Sequence, residues 1–163
     1  MLDSITQSLK AILVRDIISI QPIHSVSLKR TLTKLMLMVP LKDLRKLKKK
    51  RIQFLPTNPT LASSIDTGED SAVVLLYPDL EELLDQCEPL GMAVLAHELG
   101  HIVKDHSAQN KALLEAQMEA DHYACLLGFK KEIAHIVGKL ATGEEKLVRL
   151  QAMGADLGLE QKS

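Results

Sequence analysis

The sequence predicts a mostly helical α+β domain, with a short β-sheet packed against one central apolar helix. Three observations predict it. Apolar residues recur at helical spacing over most of the chain. Strand signals are confined to Ile52-Gln53-Phe54-Leu55 and Ala72–Tyr77. A length of 163 residues, 46% hydrophobic and 25% charged, suits a single soluble domain with a real core. Within that domain, 1–51 reads as a basic helical region, 52–141 as the core, and 142–163 as a C-terminal helix and tail. Aromatics are only 2% and Trp is absent. The core is therefore aliphatic, and a nucleic-acid site built on stacked rings is disfavoured.

Residues 3–20 predict an amphipathic helix, with Ile5, Leu9, Ile12, Leu13 and Ile17 on one stripe and Pro22 ending it. Ser27 reads as the N-cap of a second helix carrying Leu28, Leu32, Leu35 and Val39. Pro40 stops it, and Leu41, Leu44 and Leu47 belong to a short, very basic helix. A strand comes next at 52–55. Residues 56–70, rich in Pro, Thr, Asn, Ser and Asp, read as a loop or irregular strand pair. The run Ala72–Tyr77 is a strand. An acidic helix at 79–86 precedes the central helix, 89–105, which has Pro89 in its first turn. Further helices are expected at 108–127, ending at Gly128, at 130–140, and at 144–153 after the break Thr142-Gly143. Residues 154–163 read as a frayed tail. The N-terminal helices either complete the core or form a prosegment-like or partner-binding cap.

Net charge is −1, but unevenly spread. Residues 29–51 hold 10 of the 20 basic residues against one acid, Asp43, whereas 66–88 hold eight acids and no base. This asymmetry suggests an anionic partner for 29–51, or more simply a solvated basic face resting on the chain's own acidic segment. Cys87 and Cys125 do not form a disulfide framework. With no signal peptide and no apolar run long enough to cross a bilayer, a cytoplasmic location is expected. The sequence leaves the oligomeric state open.

The segment His97-Glu98-Leu99-Gly100-His101 carries the chemistry. Helix positions i and i+4 share a face, so both histidines can aim a ring nitrogen at one zinc ion. Glu98 lies about 100° around from His97, within reach of a water beside that ion. Two histidines with a glutamate as general base are the metalloprotease arrangement. The apolar Met92–Ala96 before it places the motif on a buried helix. A third ligand is required.

The segments Ala96–Val103 and Glu119-Ala120-Asp121-His122-Tyr123-Ala124 resemble the gluzincin zinc metallopeptidases, above all the compact minigluzincins and the prenyl-protein-processing and heat-shock peptidases. Lys104-Asp105-His106-Ser107 is similar to the segment just after the zinc helix in that family. The likeness covers about residues 72–140. It implies a peptide or protein substrate, Zn2+ as cofactor, and a third ligand four residues before Asp121, with Asp121 supporting one imidazole. That ligand position falls on Gln117 rather than a glutamate. Gln117 can bind through its amide oxygen, or Glu119 or Glu115 can take its place. Against the latter, Glu119 lies about 200° around the helix from Gln117, and Glu115 and Glu119 suit a solvated pair. A third possibility is a fold that has lost catalysis and serves as a metal-binding or scaffold protein.

His106 and His122 are weaker substitute ligands. His122, Tyr123, His106 and Tyr77 are candidates for stabilising an oxyanion, each with an equally plain structural reading. Cys125 has no paired base and is a poor nucleophile. The resemblance further implies an edge strand beside the zinc helix that pairs with an extended substrate, with Ala72–Tyr77 as that strand or its neighbour.

Overall fold

A computed structural model describes residues 2–57, 62–66, 71–109 and 112–154. Three helices open the chain: α1 (Leu2–Ser19), α2 (Val26–Met38) and α3 (Leu41–Lys49). The cap of α2 is Ser25, not Ser27: the Leu28 N–H donates to Ser25 Oγ at 3.2 Å. Ser25 stands three residues before that donor, where a cap must stand, whereas Ser27 is already inside the first turn. Val14, Ile17, Leu32, Leu35, Leu44 and Leu47 are buried in the same continuous cluster as the sheet and the later helices. The N-terminal region thus completes the core. Buried Gln21 ties it to the first strand, donating to the Ile17 and Ile52 carbonyls and accepting from the Phe54 N–H at 2.8 Å.

Three strands come next, β1 (Gln53–Pro56), β2 (Ala62–Asp66) and β3 (Ala72–Leu76), in the order β1-β3-β2. β1 is parallel to β3 and β2 is antiparallel to it, with Ser64 opposite Val74. Ala72–Leu76 is therefore the central strand, and Ala72, Val74 and Leu76 are buried. β1 and β2 are the two edges, and the one beside the helix Glu88–Val103 is β2, drawn from the polar stretch that composition alone marks as irregular. An edge strand needs little apolar character, because one of its sides remains open. The tail beyond residue 154 lies outside the described residues.

Helices α4 (Pro78–Gln86) and α5 (Glu88–Val103) then form, and α5 is the hub of the fold. It is buried on nearly every side, from Gly91 through Gly100 and again at Ile102 and Val103. The single helix expected over 108–127 is two, α6 (His106–Gln109) and α7 (Leu113–Leu126). Ala112 holds an extended ψ of 136° before α7, which prevents one continuous helix. Gly128, at φ +98°, ends α7 in the left-handed conformation that glycine adopts without penalty. Helices α8 (Lys130–Leu140) and α9 (Gly143–Ala152) complete the chain. Among the described residues, no helix is long and apolar enough to cross a membrane.

The basic segment is partly neutralised from within. Lys34 pairs with Glu88 at 2.8 Å, Lys48 with Asp16 at 2.7 Å, and both Lys46 and Lys50 with Asp105.

Gly100 sets the distance between α5 and α7. A Cβ there would lie 2.9 Å from Ala120 Cα and 3.0 Å from Tyr123 Cβ. Neither contact can yield without moving a helix. Gly100→Ala is therefore expected to destabilise the fold by about 1–3 kcal/mol, read as a lower denaturant midpoint.

Candidate active site

α5 and α7 face each other across this contact and contribute most of the polar side chains of the site. His97 and His101 lie one turn apart on α5, with their Nε2 atoms 3.1 Å apart. Their outer nitrogens are both engaged. His97 Nδ1 is 2.8 Å from Asp121 Oδ1. A carboxylate can only accept, so in the neutral ring the proton sits on Nδ1 and Nε2 keeps its lone pair. His101 Nδ1 is 2.7 Å from His106 Nδ1, and His106 Nε2 is 2.8 Å from Glu119 Oε2. The same reasoning puts a proton on His106 Nε2, makes His106 Nδ1 the acceptor, and leaves the His101 Nε2 lone pair free. Two nitrogen lone pairs thus converge at 3.1 Å. Such an approach is favourable when a proton or a metal ion lies between the two nitrogens, and it is close to the roughly 3.3 Å separating two nitrogen ligands of a tetrahedral zinc at 2.0–2.1 Å.

Gln117 is on the same side, its amide nitrogen 3.4 Å from His101 Nε2. Rotating the amide by half a turn presents its oxygen instead. Two imidazoles and a neutral amide oxygen fit a zinc ion in donor type, although the set lacks the carboxylate charge. No cluster of three His, Cys, Asp or Glu side chains able to hold a metal occurs among the described residues.

Glu98 is buried beside His97. Burial raises its carboxyl above the ordinary value, partly offset by His97 and by hydrogen bonds with the side chain and backbone of Ser64 on β2. The edge strand therefore touches the candidate base directly. A cavity of about 150 Å³ opens between Ala62, His97, Glu98 and Gln117 and the apolar Val94, Ile133, Ile136 and Val137.

Asp121 is completely buried, and Arg149 of α9 grips it with Nε to Oδ2 at 2.8 Å and Nη2 to Oδ1 at 2.9 Å. Burial alone would raise the Asp121 carboxyl, but hydrogen bonds from His97 and Arg149 outweigh it and hold it below the ordinary value. No sequence motif points to Arg149 as a site residue. Its only local signal is Glu145 four residues earlier, the spacing of an ordinary helical ion pair.

Other candidates point elsewhere. The Tyr123 hydroxyl donates to Asp43 at 3.2 Å inside the core, and burial raises its pKa further. His122 is on the exposed face of α7. Tyr77 is hydrogen-bonded to Ser63 at 3.3 Å. Burial and the Asp121 charge both raise the Cys125 thiol. His106, five residues past His101, would be off the ligand face of a continuous helix. The helix ends at Val103 instead, and Asp105 at φ +56° turns the chain back. Glu119, expected on a solvated face, is engaged by His106.

A buried two-histidine, one-glutamate site between two helices and a sheet edge defines the metallopeptidase class of the His-Glu-x-x-His type. Residues 69–156, more than half of the chain, match the model of Peptidase family M48, and the chain belongs to that family of zinc metallopeptidases. The match runs past residue 141 and takes in α9 with Arg149, while β1 and β2 lie before it. Comparison with curated proteins and with solved structures returns no match.

The His101 pKa is pushed down from 6.5 to about 3, first by burial and then by neighbouring His97 and His106. Between those values the unfolded chain binds a proton that the folded chain does not, so stability falls as pH falls. The metal-free protein is expected to lose stability from about pH 6.5 towards 3. Denaturant midpoints across that range should show a shallower slope for His101→Gln.

Proposed function

We propose that the chain is a zinc metallopeptidase on the compact gluzincin pattern, in which His97, His101 and the amide oxygen of Gln117 hold the ion and Glu98 is the general base. The observation that carries this reading is the convergence of two Nε2 atoms at 3.1 Å, each ring held from behind at Nδ1, with a buried carboxylate alongside. Glu119 is the weaker choice of third ligand, because its carboxylate is already taken by His106 at 2.8 Å.

A bound zinc ion lowers the pKa of a water towards ~7 and polarises a carbonyl. The chain's own residues supply the rest. Glu98, its basicity raised by burial, accepts a proton from the attacking water and passes it to the leaving amine. Ser64 and His97 partly offset that rise, and the Ser64 hydrogen bonds aim the carboxylate. β2 ends the sheet among the described residues, and its open edge suits an extended peptide added as a further strand beside Glu98. The apolar wall of Ile133, Ile136 and Val137 suits a hydrophobic side chain of that peptide.

Gln117 supports a second reading, a catalytically impaired relative that keeps the fold as a metal-binding or scaffold protein. A neutral amide binds zinc more weakly than a carboxylate. Zinc content and peptide-library cleavage separate the two. For an active peptidase, wild type holds about one zinc per chain, and Glu98→Gln keeps the metal while cleavage falls by ~10²-fold or more. Gln117→Glu tightens zinc binding in either case. Zinc-loaded wild type that cleaves nothing, with activity appearing only in Gln117→Glu, would establish the scaffold reading.

A further inference from the structure

Each of the two α5 histidines is backed by an acid of α7, but by different routes. Asp121 meets His97 directly at 2.8 Å, and its charge is shared with Arg149. Glu119 reaches His101 through His106, with contacts of 2.8 Å and 2.7 Å. We infer that Glu119, acting through His106, is the positioning residue of His101: it fixes His101 in the Nδ1–H form and supplies, one imidazole removed, negative charge that Gln117 lacks. The inference rests on the zinc-site reading above, but its first measurement does not need the metal.

Three features support it. His106 is buried, only 9% exposed, so its two ring nitrogens are committed to protein partners rather than water. The carboxylate at one end can only accept, which in a neutral His106 ring sets the direction of both hydrogen bonds in the chain Glu119–His106–His101. At the far end, Gln117 in the metal-free protein turns its amide nitrogen, a donor only, towards His101 Nε2 at 3.4 Å, an orientation that matches an unprotonated Nε2.

The placement of His106 is itself built. On a continuous helix it would lie about 140° around from His101. The left-handed turn at Asp105 brings it back, and α3 clamps that turn. Lys46 binds the Val103 carbonyl and the Asp105 carboxylate, and Lys50, nearly buried, binds the other Asp105 oxygen at 2.8 Å. The neutral third ligand position and the relay's carboxylate stand two residues apart on the same helix, about 200° around it from one another.

Long-range 1H–15N correlation spectra of the metal-free full-length protein read the His101 tautomer, and chelator competition reads zinc affinity. Wild type is expected to carry the proton on Nδ1. Glu119→Leu should lose that preference and bind zinc about 10- to 100-fold more weakly, the range usual for groups that orient metal-bound histidines. Glu119→Gln retains an acceptor for His106 and should keep the tautomer while losing part of the affinity, a partial rescue that a packing role would not produce. The relay is overturned if metal-free wild type carries the proton on Nε2, or if folded Glu119→Leu matches wild type in tautomer and affinity. Should Glu119→Leu not fold, Glu119→Gln with unchanged affinity overturns the charge role. Wild type that takes up no zinc sinks the peptidase reading instead, while the metal-free tautomer still decides the relay.

Discussion

The close approach of α5 and α7 at Gly100 is the contact on which the site depends. With 2.9 Å between a would-be Cβ and Ala120 Cα, only glycine lets the two backbones meet. At that distance the short side chain of Asp121 reaches His97, and Gln117 and Glu119 come level with His101 and His106. A wider gap would take the imidazole donor away from buried Asp121 and leave Arg149 alone to satisfy its carboxylate. The packing geometry and the polar network are therefore one constraint: the helices must touch for His97 and Asp121 to meet, and that hydrogen bond holds the helices in register.

The charges are arranged in layers around the two Nε2 atoms. Asp121 is neutralised by the bidentate Arg149, so it acts on His97 mainly as an acceptor of fixed direction. Arg149 in turn ties α9 to α7, which makes the last helix part of the site rather than an appendage. Glu98 is held differently, by the edge strand, and its raised proton affinity comes from burial. Burial makes this base well placed to take up a proton, since desolvation favours its neutral form, while the Ser64 hydrogen bonds partly oppose that shift and fix its direction.

The order of the elements and the His97–Glu98–His101 face are legible in the sequence, because helical periodicity and i, i+4 spacing are local. Features that depend on distant partners are not. β2 is polar and short, and only its pairing with β3 makes it a strand. The split between α6 and α7 comes from the backbone at Asp105 and Ala112, and Asp105 is an acceptable but uncommon residue at positive φ. His106 escapes helix geometry because the helix has already ended. Arg149 stands 28 residues from Asp121 in the chain, with no motif to link them.

Part of the basic segment has a role inside the fold. Lys46 and Lys50 close on Asp105 at the end of α5. A helix terminus leaves carbonyls without internal partners and carries partial negative charge. Asp105 adds a full one beside the Val103 carbonyl. Two ammonium groups answer both, and Lys50 is buried in doing so. The demand that produces them is thus local to the turn that returns His106 to His101. α3 and β2 both lie before the stretch that matches the family. Even so, one clamps that turn and the other holds the candidate base, so the family-matched stretch alone does not contain the whole site.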